Sequence, residues 1–471
     1  MASQTRFERV LMRIQHPSAG EAAVSKTAAV LLLLALACST ASLAQQATAA
    51  RLEQDSPGIA VYLISVGPGR RVWEKFGHNA IWISDNETGT DRAYNYGLFS
   101  FEQEDFLSRF LRGRMLYWMR GFDVEGHIQE YIDDDRSVWI QELNLTPAQR
   151  IALRDFLLWN ERPEHRFYRY HYYYDNCSTR IRDALDRVLG GAIRSQTEGV
   201  ETGNTFRFHT LRLTSDNIWT YTGLLLGLGQ PVDRPISEWD EMFLPLKLRD
   251  HLRGVTLRDE SGNESPLVVS ERTEFESTVF AEASSPPNWL LGYFVVGLAI
   301  AACLAFTAYR AAFDRLSRAV FAVLATLWAF LTGVAGLVLA GLWAFTDHNT
   351  SYRNENLFWF DPLAIMLVAL APLLIRGVPW AARPGRLVAS AIGALSLLGF
   401  VLQIAPGLDQ VNGPLIALAL PPNLAMAAGL LWVSRTRGQT GVGVENTTGY
   451  PECEEPEAAS FPGAAEPPGR L

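Results

Sequence analysis

From Pro287 onward the chain passes repeatedly through stretches that contain no Asp, Glu, Lys or Arg, and this removes most of the folds open to a water-soluble protein. The bilayer interior has no water to satisfy backbone N–H and C=O groups, so such stretches must be helices that pair those groups internally. Five apolar spans can be drawn, at about Trp289 to Tyr309, Ala319 to Phe345, Leu357 to Ile375, Leu387 to Ile404 and Pro414 to Val433, each near the ~20 residues a spanning helix needs, and only the third holds a charged residue, Asp361. Arginines mark the ends: three within Arg310 to Arg318, three within Arg376 to Arg386, then Arg435 and Arg437. Basic loops stay on the cytoplasmic side, so everything before Pro287 and the loops Thr346 to Asn356 and Ala405 to Gly413 are expected outside. Residues 288–434 are thus expected to form an all-α transmembrane domain of five helices.

The start of the chain reads as an export signal or N-terminal anchor over residues 1–44. Lys26 precedes the apolar run Ala28 to Ala37, and Ser42-Leu43-Ala44 offers small residues for cleavage. The formal net charge of −9 provides no basic footprint for nucleic acid. After Gly438 the composition turns to Gly, Pro and Glu, and residues 438–471 are expected to be a disordered cytoplasmic tail.

Between these lies an α+β region. Gly58 to Ser65 is β-branched and apolar, Asn79 to Ser84 alternates, and Arg92 to Tyr96 alternates before Gly97, so three strands are predicted. Helical spacing follows at Phe101 to Leu111, at Ala148 to Trp159 behind Thr146-Pro147, and at Ser178 to Leu189. We place the folded domain at 58–200 and read 201–287, which ends in Ser-Ser-Pro-Pro, as an extension and linker.

Of the four cysteines, Cys38 lies in the signal, Cys303 in the first span and Cys453 in the tail. Cys177 alone is in the external folded region. An unpaired thiol there is a liability in an oxidising compartment unless it is buried or used. It opens a predicted helix beside Arg180, and the helix N-terminus favours a thiolate, so nucleophilic catalysis is the sharper reading. Such a nucleophile needs a base, and His78, which follows Phe76-Gly77 and opens a predicted strand, is the best-placed histidine. His165 and His171 are nearer in sequence but sit in an aromatic run, and no compact spacing suggests a metal or other cofactor. The polar loop residues His348, Asn349, Asn354, Asn356, Asp361, Gln410 and Asn412 fall on the same side of the membrane. They either cap helices or line an opening for a lipid head group.

Several motifs in order carry a resemblance: Phe76-Gly77-His78-Asn79-Ala80, Tyr94-Asn95-Tyr96-Gly97 with Phe99 and Phe101, Phe110-Leu111-Arg112-Gly113, Tyr168-Arg169-Tyr170, and Asp175-Asn176-Cys177-Ser178-Thr179-Arg180. Over residues 58 to 195 the chain resembles the Lnb-type lipoprotein N-acyltransferase family. Asp347-His348, Asn354, Asn356, Gln410 and Asn412 continue the likeness. The resemblance implies a circularly permuted papain-like periplasmic domain, similar to lecithin retinol acyltransferase, with histidine before cysteine in the chain. It implies a bacterial inner-membrane, multi-pass enzyme with no cofactor. In such an enzyme Cys177 takes an acyl chain from a phospholipid and passes it to the N-terminal amine of a diacylated lipoprotein, with His78 as base. Asn95, Tyr94 or Tyr96 would orient His78, and Asn79, Tyr96, Asp175, Asn176, Arg180 and the loop residues would support the site. Arg180 would stabilise the thiolate or pair with a carboxylate, and the N–H of Cys177 or Ser178 would face an oxyanion. Two other readings stand beside this one: a papain-like peptidase or amidase acting on the cell wall, and a non-catalytic membrane receptor or assembly factor.

Overall fold

The computed structural model describes residues 58–259 and 261–442. The expected signal, 1–44, and nearly all of the expected tail lie outside the described residues. Two compact units are present. One comprises the described chain up to Leu290 with Val338–Leu357 and Leu402–Leu415; the other comprises Leu291–Leu337, Phe358–Val401 and the described chain from Ile416.

The first unit is built on an antiparallel sheet. Its strands are β1 (Ile59–Val66), β2 (His78–Asp85), β3 (Thr90–Leu98), β4 (Leu116–Asp123), β5 (Val138–Leu143), β6 (Phe167–Arg169) and β7 (Val268–Phe275), in the order β7-β5-β1-β2-β3-β4-β6. The three predicted strands are β1 to β3. The other four were not anticipated, because β6 is only three residues long and β7 (VVSERTEF) is a polar, mostly exposed edge strand with little periodic signal. β7 pairs with β5, so part of the region read as a linker closes one edge of the sheet.

The two faces of the sheet have separate cores. On one, α3 (Pro147–Glu161) and α4 (Cys177–Val188) place Leu153, Leu157, Ile181 and Leu185 against Leu63, Ile81, Tyr94 and Tyr96. On the other, α2 (Val124–Asp133) covers Ile64, Ala80, Ala93 and Ile140. The helix α1 (Phe106–Leu111) lies in the connection from β3 to β4. Local signals fix the helix starts: Thr146 and Gln149 form a reciprocal capping box with Pro147 in the first turn of α3, and Asn176 and Thr179 form another at the start of α4.

The second unit is helical. Four helices among the described residues are long and apolar enough to cross a membrane: Leu290–Arg310, Arg315–Phe345, Pro379–Leu402 and Gly413–Thr436. The apolar helix Ala364–Arg376 has only 13 residues. Close approach of helices is made at small residues: a Cβ on Gly297 would fall 2.5 Å from the Ala417 carbonyl oxygen, and one on Gly399 would fall 2.4 Å from Phe358 Cβ. A buried polar knot adds to it, with Asn423 accepting from Trp328 Nε1 at 2.8 Å and donating to the Trp359 carbonyl at 2.8 Å.

Candidate active site

Cys177 is the first residue of α4, and Asn176 caps it by accepting from the N–H groups of Ser178 and Thr179, each at 2.9 Å. Because the Ser178 N–H is already taken, of the two expected oxyanion donors the Cys177 N–H remains. His78 opens β2 after Gly77, whose positive φ (79°) and closeness to the Val66 carbonyl, 2.7 Å from a would-be Cβ, admit no side chain.

The pairing of β2 with β3 ends at Ala80–Asn95, and β3 shifts register against β4 between Asn95 and Leu98. At this opening Gly97 turns with φ 92°. A Cβ placed there would lie 3.3 Å from Cys177 Cβ and 3.9 Å from His78 Cε1, so the two side chains flank one point in space. The missing side chain of Gly97 leaves a gap at the strand end between Cys177, on the α4 face, and the His78 imidazole, held from the α2 face. Sequence alone marked Gly97 only as part of a motif.

Asn95 orients the imidazole. His78 Nε2 donates to Asn95 Oδ1, which places the ring proton on Nε2 and leaves Nδ1 as the proton acceptor. Asn95 Nδ2 in turn donates to His127 Nε2 at 3.3 Å, which also accepts from the Tyr131 hydroxyl at 3.3 Å. His127 and Tyr131, on α2, carry no sequence signal that sets them apart from surface or core residues. They join the site because α2 covers this face of the sheet.

Burial governs the charges. It pushes the Cys177 thiol up to about 11, against the opposing pull of the Asn79, Ser178 and Cys177 N–H groups and the Arg136 guanidinium. Burial likewise brings His78 down to about 3, with Asn95 opposing and Arg136 and His127 adding, and brings His127 to about 4. The expected depression of the thiol by its helix terminus is therefore overruled: desolvation of the thiolate outweighs the helix N–H groups. At neutral pH the pair is a neutral thiol beside a neutral imidazole.

The main chain of Met242–Pro245 holds these elements from behind. Ser178 Oγ donates to the Met242 carbonyl at 2.7 Å, Asn176 Nδ2 to that of Phe243 at 2.9 Å and Asn79 Nδ2 to that of Pro245 at 3.4 Å. One segment of the region read as a linker thus ties the Asn176 cap of α4 to β2.

The remaining expected residues are placed elsewhere. Tyr96 is fully buried and donates to Asn160 at 2.7 Å, on the α3–α4 side of the sheet. Arg180 is paired with Asp175, with Nη2 to Oδ2 at 2.7 Å, and lies 4.2 Å from the centre of the Tyr168 ring, so the carboxylate-pairing alternative is the one realised. The loop residues collect at the C-terminal carbonyls of the helix Ile218–Gly227. Asn354 Nδ2 reaches Leu226 at 2.8 Å, Asn356 Nδ2 reaches Leu226 at 3.0 Å, Gln410 Nε2 reaches Leu228 at 3.1 Å, and Asn412 donates to Asn356 at 3.0 Å. They cap orphan carbonyls, and their hydrogen bonds do not run to Cys177, His78 or Asn95. His348 Nε2 donates to the Phe110 carbonyl at 2.9 Å. Among the described residues no group of three His, Cys, Asp or Glu side chains forms a metal-ligand set.

Residues 47–217 match the Lnb N-terminal periplasmic domain and residues 288–405 match the Lnb transmembrane domain. The chain belongs to the Lnb family. Both halves of the family's architecture are thus present in order, and Lnb membership makes it a membrane enzyme of a family that acts on lipoproteins. No curated protein and no solved structure matches it.

Proposed function

We propose that this Lnb protein is a lipoprotein N-acyltransferase that works through a thioester on Cys177. The observation that carries this reading is the convergence of Cys177 and His78 on the space left by Gly97, with Asn95 fixing the imidazole. Cys177 Sγ attacks the ester carbonyl of a phospholipid while His78 Nδ1 takes the thiol proton. The C–O bond breaks, the imidazolium returns that proton to the leaving lysophospholipid oxygen, and the acyl group rests on sulfur. The free N-terminal amine of a diacylated lipoprotein then attacks the thioester carbonyl. His78 removes the amine proton and delivers it to the departing thiolate, giving an amide and restoring the neutral pair. Oxyanion character in both steps is met by the Cys177 N–H at the start of α4.

A neutral resting pair suits this chemistry. The thiolate exists only as it attacks, which guards an external thiol against oxidation, since thiolates and not thiols are the oxidised species. Histidine on β2 preceding cysteine on a sheet-packed helix is the order of a circularly permuted papain-like domain. The arginine clusters favour five passes: Arg376 and the loop to Arg386 are on the cytoplasmic side only if Ala364–Arg376 crosses together with the turns before it. The catalytic unit then faces the periplasm at the surface of the inner membrane, where both lipid substrates reside.

The test is expression in a bacterium lacking lipoprotein N-acylation, followed by mass spectrometry of a lipoprotein's N-terminal peptide. The expected result is an amide-linked third chain with the wild type and none with Cys177→Ala. An amide-linked chain with Cys177→Ala removes the nucleophile assignment, and altered wall fragments without lipoprotein acylation would favour an amidase.

A further inference from the structure

The chain between β3 and β4 exposes apolar side chains that a soluble surface would not display together: Phe101 is 64% exposed, Leu107 67% and Leu111 59%. They border an open cleft of about 650 Å³ whose lining also includes Asp105 and Arg112. This segment is fastened to the residues that follow a spanning helix. Arg315–Phe345 ends two positions before Asp347, and the Asp347 N–H donates to the Arg112 carbonyl at 2.8 Å. The Asp347 carboxylate accepts from Arg114 at 2.8 Å and Arg169 at 2.5 Å. The exposed apolar face is thereby tied to the residues at the end of that helix. Arg109 and Arg112 form no ion pair among the described residues.

An aromatic line connects this face to the thiol. Phe106 packs against Phe101 at 5.1 Å and Phe99 at 6.2 Å between ring centres; Phe99 stacks on Tyr117 at 5.1 Å, and Tyr117 on Tyr170 at 4.1 Å. Tyr117, Tyr170 and Cys177 pack at the edge of the same core. The line is half-buried throughout.

We propose that Phe101–Arg112 is a bilayer-inserted lip that draws one acyl chain of a membrane phospholipid into its cleft and along Phe106, Phe99 and Tyr117 toward Cys177. This rests on the acyltransferase reading for its purpose, but not for its test. The apolar face supplies burial in the acyl region, and the arginines at its end meet the anionic phosphate. A lipid chain is the favoured occupant, because a protein partner here would have to compete with the membrane at the end of a span.

The experiment is photolabelling of the full chain in phosphatidylethanolamine and phosphatidylglycerol vesicles that carry a phospholipid with a diazirine in its acyl chain, read by peptide mass spectrometry. Wild type and Cys177→Ala are both used. Labelling needs no turnover, so it stands or falls separately from the catalytic reading. Expected is labelling of residues 101–111 on the order of tenfold above that of Leu158, an exposed leucine on α3, and its loss in Leu107→Glu/Leu111→Glu. Labelling of 101–111 no greater than at Leu158, labelling retained in the double variant, or labelling by a head-group diazirine alone would each overturn the proposal.

Discussion

Replacing Gly97 by alanine tests the geometry on which the site depends. The new methyl group would sit 3.3 Å from Cys177 Cβ, inside the 3.5–4.0 Å at which carbon atoms attract, so the nucleophile must retreat by a few tenths of an ångström. The backbone at φ 92° adds about 1–3 kcal/mol of strain for any residue with a Cβ. Relief of both runs the same way, by moving β3 and α4 apart, which separates the sulfur from His78 Nδ1. Misplacement of reacting groups by about 1 Å costs roughly 100-fold, equivalent to about 2.7 kcal/mol in the barrier. A retreat of a few tenths of an ångström incurs a fraction of that cost, so thioester formation on Cys177, followed by intact-protein mass spectrometry after rapid mixing with phospholipid vesicles, should slow by roughly three- to tenfold. Thermal melting separates this from unfolding. A Gly97→Ala protein that is destabilised yet acylates at the wild-type rate per folded molecule would refute the reasoning.

Asn95→Ala should lower the rate of thioester formation about 10–100-fold with little change in KM, because the imidazole loses the acceptor that fixes it; a shift confined to KM would argue against an orienting role. His127→Ala leaves Asn95 Nδ2 without its acceptor and should cost about 1–3 kcal/mol, with a fall in kcat that His127→Gln partly restores, read from steady-state kinetics and melting together. In contrast, Asn356→Ala should destabilise by about 1–3 kcal/mol, because the buried Asn412 Nδ2 loses its acceptor and the carbonyls of Leu225 and Leu226 each lose one donor, while activity per folded molecule is unchanged. For pH, the rate of thioester formation should be flat between about 5 and 9, since His78 stays an unprotonated base until about 3 and the thiol ionises only near 11. Stability follows the same groups. His78 and His127 have folded values below the unfolded 6.5, so the unfolded chain binds protons first and melting temperature should fall as pH drops from 6.5 through about 4.

Much of this was legible in the sequence because it depends on local chemistry. Long apolar stretches demand helices in a bilayer whatever surrounds them, and four of the five appear as helices of spanning length. Period-two patterning marked β1 to β3, and Asn176 and Thr179 mark the start of α4 by a capping geometry that needs only four residues. Cys177 stood out by elimination and His78 by its turn, and Asn95 was one of three candidates for the orienting group. The choice among these three needed the fold: strand alternation puts Tyr94 and Tyr96 on the α4 face and Asn95 on the α2 face, where His78 Nε2 is.

What the tertiary structure decided was environment. The sign of the thiol's shift could not be read from a helix N-terminus, because burial of the thiol in the folded unit outweighs it. Arg180 and the loop residues Asn354, Asn356, Gln410 and Asn412 have the polarity of a binding site, yet their partners are a neighbouring carboxylate and the end of a helix more than a hundred residues away. Gly97, His127 and the carbonyls of Met242–Pro245 act by where the sheet and its two helical layers bring them. A residue type and its spacing determine what a side chain is able to do; only the long-range packing determines what it is left to do it with.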